Sequence, residues 1–147
     1  MIKNAIFIAL FVFLMNPLAR ADQLECAADE TKVAMTAELQ IGWFAFAKLI
    51  PSAPLEVCAK PYQSSSIKLN MSSASQAHLI RIQFTLHPIQ NSQNYFISAI
   101  RAESLDGETF EESDSGHGMV GGNQPVSIEL GAWHFFQRQN MRITFSI

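Results

Sequence analysis

The chain has little cysteine, few cations and, beyond its first fifteen residues, no long apolar run. Each scarcity excludes something. Two cysteines, Cys26 and Cys58, stand without a Cys-x-x-Cys or a neighbouring Cys/His cluster, which argues against a structural zinc site. Lys and Arg number 10 against 13 Asp and Glu, a net charge of −3, so no basic surface for nucleic acid or anionic membrane is expected. The longest apolar run, Ala5 to Met15, is short of the roughly 20 residues that a transmembrane helix needs. No internal repeat, low-complexity tract or second-domain boundary is visible, and 147 residues suggest one domain.

What is present begins with an export signal. Lys3 supplies a positive start, Ala5–Met15 an apolar centre, and Asn16-Pro17 a break. Ala19-Arg20-Ala21 is a small-x-small cleavage site. Residues 1–21 are therefore expected to be a signal peptide and 22–147 the folded domain. Cleavage removes Lys3 and Arg20 but no acid, so the net charge falls from −3 to −5. The expected location is periplasmic or secreted, with no stable membrane span after cleavage. In such a compartment Cys26 and Cys58 pair as a disulfide across a separation of 32 residues.

The clearest pattern is His78-Leu-Ile-Arg-Ile-Gln-Phe-Thr-Leu-His87. Ile80, Ile82, Phe84 and Leu86 share one parity, and Arg81, Gln83, Thr85 and His87 the other. Side chains alternate faces along a strand, so this stretch is half-buried β. Thr31 to Phe46 alternates as well, with a bend at Gly42, although its alanines and Glu38 leave a helix as the alternative. Leu55–Ala59, Ile67–Met71, Tyr95–Ser104, Val126–Gly131 and Met141–Ile147 complete the set. Asp106-Gly107 reads as a type I′ hairpin with Glu108–Glu112 as a short return strand. Four glycines make Ser113–Gln124 a loop. Seven or eight short strands without a long helix predict an all-β fold: a single antiparallel β-sandwich of Ig-like or Greek-key type.

Few residues suggest chemistry. Gly116-His-Gly-Met-Val-Gly121 spells a dinucleotide fingerprint, but no strand-to-helix junction surrounds it, so a plain loop is the better reading. The acids from Glu103 to Asp114 lack calcium-loop spacing and read as a solvated hairpin. Asp114, Ser115 and His117 have triad chemistry without triad spacing or a nucleophile elbow. Asn70-Met-Ser72 is a glycosylation acceptor in a eukaryotic host. His117 and Met119 pair an imidazole with a thioether, donors that suit copper, and a third ligand would come from elsewhere, with His78, Met71, His87 and His134 available in sequence. Trp133 and Phe135, with Phe136 and Tyr95, offer an aromatic surface for a sugar or protein, against the alternative of core packing.

Ser115-Gly-His-Gly-Met119, followed by Gly131-Ala-Trp133, resembles the YtkA-like/FixH-like group of small exported β-sandwich domains. The likeness covers about the last third of the chain. It implies cation or copper handling during assembly of a membrane oxidase, with His117 and Met119 as metal ligands.

The expectation is thus an exported, non-enzymatic binding or accessory module whose partner, a protein or small ligand, the sequence does not identify. No nucleic acid is implied. The alternative is a periplasmic copper-handling protein using the His-x-Met segment.

Overall fold

In a computed structural model the described residues are 24–42, 48–72, 77–104, 106–134 and 137–147, with the side chains at 48, 132–134, 137 and 138 left aside. The expected signal peptide lies outside them. Nine strands and no helix occur among these residues: β1 (Thr31–Ile41), β2 (Lys48–Pro51), β3 (Leu55–Ala59), β4 (Ser64–Ser72), β5 (Ala77–Pro88), β6 (Tyr95–Ser104), β7 (Glu111–Val120), β8 (Val126–His134) and β9 (Gln137–Ser146). No described helix is long and apolar enough to cross a membrane.

Two antiparallel sheets pack face to face, as expected for a β-sandwich. One runs β2-β1-β9-β8, with β3 also pairing β1; the other is the meander β4-β5-β6-β7. β1 is longer than either partner on its open edge. β2 covers Glu38–Ile41 and β3 covers Thr31–Met35. Ser52, between Pro51 and Pro54, fills the gap: its amide donates to Ala37 O at 2.7 Å, and Ala37 N donates to Ser52 Oγ at 2.9 Å. The backbone groups of β1 are thereby satisfied where the two prolines interrupt the ladder.

The alternation of β5 holds. Ile80, Ile82, Phe84 and Leu86 are buried, while Arg81, Gln83, Thr85 and His87 lie half-buried on the outer face. They meet Val33, Met35, Leu39, Ile143 and Phe145 of the other sheet. Phe84 and Phe145 lie 5.4 Å apart, tilted at 55°, an aromatic pair across the interface.

Cys26 and Cys58 form the expected disulfide, with Cα atoms 5.4 Å apart. It is compatible with an oxidising compartment.

Two local expectations are corrected. Ser113–Gln124 is not a loop: β7 runs through it to Val120, paired along β6. Asp106-Gly107 is not a two-residue hairpin turn, because the last pair before it is Glu103 with Glu111 and the Gly107 amide donates to Ser104 Oγ. Asp106 instead caps the turn with its carboxylate. It accepts from Glu108 N, Thr109 N, Thr109 Oγ1 and Ser104 Oγ. The return strand therefore starts later than expected, at Glu111.

Candidate functional site

The glycines that suggested a loop explain the site. β7 is the last strand of its sheet and lies against β8 of the other. A Cβ on Gly116 would fall 2.5 Å from Ile128 Cγ2, and one on Gly118 would fall 2.6 Å from Val126 Cγ2. Only hydrogen fits on this inner side. Side chains alternate, so the intervening His117 and Met119 point to the outer face, and both are exposed. The G-x-G thus closes the sandwich corner. Gly121, at φ +137°, begins the turn into β8, where a Cβ would meet the Asn94 backbone at 2.8 Å. No nucleotide-binding junction is formed.

Register then assembles neighbours that the sequence scatters. Phe96 of β6 pairs with Met119 on one side and with His87 of β5 on the other. The Phe96 ring lies 5.3 Å from the His117 imidazole and 6.2 Å from that of His87. Tyr62, just before β4, sets its ring edge-on to His87 at 5.8 Å. Its backbone occupies the left-handed region at φ +62°, uncommon for a residue with a bulky side chain. Its amide donates to Leu86 O at 2.8 Å, which fixes it to β5. The result is a continuous strip, Tyr62–His87–Phe96–His117–Met119, across one end of the outer face. Tyr62 is 68% exposed, Met119 63% and Phe96 39%. Isolated exposed apolar groups are ordinary on a protein surface, whereas contiguous ones mark interaction sites.

The rest of this face is different. Its centre carries Gln83, Thr85, Ser98 and Ser115 around a half-buried Ile100. At the far end Lys68 and Arg81 flank the Phe110 ring, at 5.6 and 4.7 Å from its centroid.

The other candidate groups are accounted for. Asp114 accepts from its neighbour Ser115 N and from Gly131 N at 2.6 Å, while His117 stacks on Phe96, so no triad forms. The acids of the 103–114 segment do not converge. Glu103 pairs with buried Arg101, Asp106 caps its turn, and Glu108, Glu111 and Glu112 are exposed. The hydrogen bonds from Thr109 and Glu108 hold the Asp106 carboxyl far below its ordinary range. Among the described residues, Cys26, Glu30 and Cys58 are the group of three that converges like metal ligands, and its two sulfurs are bonded to each other. On the opposite sheet a groove of about 380 Å³ is lined by Glu38, Gln40, Leu49, Glu129, Asn140 and Arg142. Its cation is engaged internally, with Arg142 Nη2 at 2.8 Å from Glu129 Oε1.

Of the sequence-derived site residues, the structure brings His117 and Met119 onto one face and joins Cys26 to Cys58. Trp133 contributes backbone to β8, paired with Arg138, but its side chain lies outside the described residues, as does Phe135 entirely. Sequence reasoning missed Tyr62 and Phe96, and named His87 only among several residues that could complete a copper site. The wet parity of β5 already placed His87 outward, but nothing in a single strand shows which residue of the next one stands beside it. Comparison with protein-family models, curated proteins and solved structures finds no significant match to the chain.

Proposed function

We propose that this chain is an exported, non-enzymatic binding or accessory module that docks its partner on the Tyr62–Met119 strip. The observation that supports this most directly is the contiguity of exposed aromatic, imidazole and thioether groups on a rigid sheet. Large, stiff side chains give contact area at small entropic cost, and they dominate binding energy at protein interfaces. Left-handed Tyr62 agrees with this, since backbone strain concentrates at functional surfaces. Trp133 and Phe135 remain proposed contributors. The disulfide and the expected signal peptide support export.

The test is face-specific photocrosslinking. A photoreactive residue replaces Met119 in one variant and Thr144, on the opposite sheet, in another. Crosslinks to exported proteins or glycans are expected from position 119 and not from 144. A Phe96→Ser change should reduce them at least tenfold while the melting temperature stays close to that of the parent, and Trp133→Ala tests the second aromatic group. Equal labelling from both faces would discard the strip as the binding surface.

A second reading is copper handling by His117 and Met119. Their placement two residues apart on one strand, both outward, favours it, since a soft thioether and an imidazole can then face one ion. It requires Cu(I) binding that disappears in the His117→Ala, Met119→Ala double variant.

A further inference from the structure

We propose that Phe96 is the floor of a soft-metal site whose rim is His87, His117 and Met119, and that the ion it takes is Cu(I). This rests on the copper-handling reading and adds to it a third donor, from a different strand, and an aromatic ring beneath the ion.

The argument starts from the rows of the sheet. His87, Phe96 and Met119 stand opposite one another on β5, β6 and β7. Adjacent strands are spaced by about 4.8 Å, which puts the His87 and Met119 backbones about 10 Å apart with Phe96 between them. An imidazole, a thioether and two metal–ligand bonds of about 2 Å span that distance. The meeting point then lies above the phenyl ring. His117, one row further along β7, stacks on the same ring, with its centroid at 5.3 Å and its plane tilted by 32°. Three donors therefore surround one exposed ring, and none of them needs a change of strand register.

The chemistry selects the ion. Two imidazole nitrogens and a thioether sulfur form a soft to borderline set. The nearest residues on the same face are Thr85, Ser98 and Tyr62, all neutral, so no carboxylate joins the rim to favour calcium or magnesium. A cation held over an aromatic face gains from the ring quadrupole, and displacing water there strengthens that gain. The set leaves the outward side of the ion open. A partner protein docked on the strip can supply the fourth ligand or remove the ion, which suits transfer better than storage. The glycines matter as well. Gly116 and Gly118 lock β7 against β8, so the donors of His117 and Met119 cannot turn inward.

The experiment is a competition titration of the purified protein with Cu(I), in ascorbate and against a chromogenic Cu(I) chelator. Ascorbate is chosen to keep copper reduced without a thiol that would attack the disulfide. One Cu(I) per chain is expected, with affinity lowered at least tenfold by His87→Gln and at least a hundredfold by His117→Gln or Met119→Leu. Phe96→Leu should lower it severalfold, and the Phe96 ring protons should shift on metal addition. X-ray absorption on the loaded parent protein counts ligands without any substitution, and two nitrogens with one sulfur are expected. Should His87→Gln leave affinity unchanged, or the absorption data show one nitrogen and one sulfur, the three-donor site is overturned and the two-donor reading survives. Absence of Cu(I) binding by the parent protein overturns both.

Discussion

Among the described residues Arg101 is the largest fully buried side chain, with no solvent-exposed surface. Its Nη1 donates to Leu130 O at 3.2 Å and to Gln139 O at 3.3 Å, and its Nη2 pairs with Glu103 and reaches Gln139 Oε1. One guanidinium thus ties β6 to β8 and β9 across the sandwich. Its Nε lacks a partner, so the network is incompletely satisfied. Breaking a buried pair costs about 3–5 kcal/mol, whereas replacing both members together is often close to neutral. Arg101→Met alone should therefore destabilise by that amount, and Arg101→Met with Glu103→Gln should recover at least half of it in urea unfolding. If the double variant is as unstable as the single one, the loss comes from packing and the ion pair is not its cause. Asp106 makes a pH-dependent prediction at the same scale. Its pKa is lowered on folding, so its stabilisation is complete above the unfolded value near 4 and fades as pH falls below it. Asp106→Ala should lower the melting temperature at pH 7, and the gap to the parent should narrow steadily as the pH falls below about 4. A gap independent of pH would mean that the turn does not depend on the charged carboxylate.

At the scale of elements, β5 and β7 differ in how plainly they can be read. β5 buries isoleucine, phenylalanine and leucine at every second position, so its period is visible as hydropathy. β7 turns half-buried Gly116 and Gly118 inward at the equivalent positions, because β8 comes too close for any side chain. Glycine carries no hydropathy signal, and the strand resembles a loop. The spacing of two in Gly-His-Gly was itself the strand signature, hidden by the residue type. The sandwich, the core of β1 and β5 and the disulfide were legible because each rests on a local pattern or on a count. The strip was not, since it depends on register between strands separated by the 89–94 turn and the 106–110 segment. A measurable consequence follows for β7. Gly116→Val pushes atoms into Ile128 and Leu130 and should cost about 1–3 kcal/mol through overpacking. His117→Ser, one residue away and facing solvent, should change stability by no more than about 0.5 kcal/mol. Equal effects in thermal melts would mean that β7 does not pack against β8 in this way.

For the whole molecule, the weak flank is the one that the disulfide holds. Residues 26 to 58 enclose β1, β2 and most of β3, and among the described residues the short β2 and β3 cover the outer edge of β1. The meander β4–β7 has no such support and needs none, because long ladders join its four strands. The bridge ties the segment before β1 to the strand that covers β1's first half. Lys32–Glu56 at 2.7 Å and Asp29–Lys60 at 3.0 Å lie beside it, both exposed and therefore weak. Closing a 32-residue loop contributes about 3–4 kcal/mol in the chain-entropy account. For a domain of this size that corresponds to a loss of roughly 10–15 °C in melting temperature when the bridge is removed. The Cys26→Ser, Cys58→Ser variant should show that loss. Hydrogen exchange should locate it as well: amides of β2 and β3 should lose protection first, and those of β5 and β6 only on global unfolding. If β5 loses protection together with β3, the bridge stabilises the sandwich as one cooperative unit. The proposed binding face of the four-stranded sheet would then depend on the oxidised state, although both cysteines belong to the other half of the molecule.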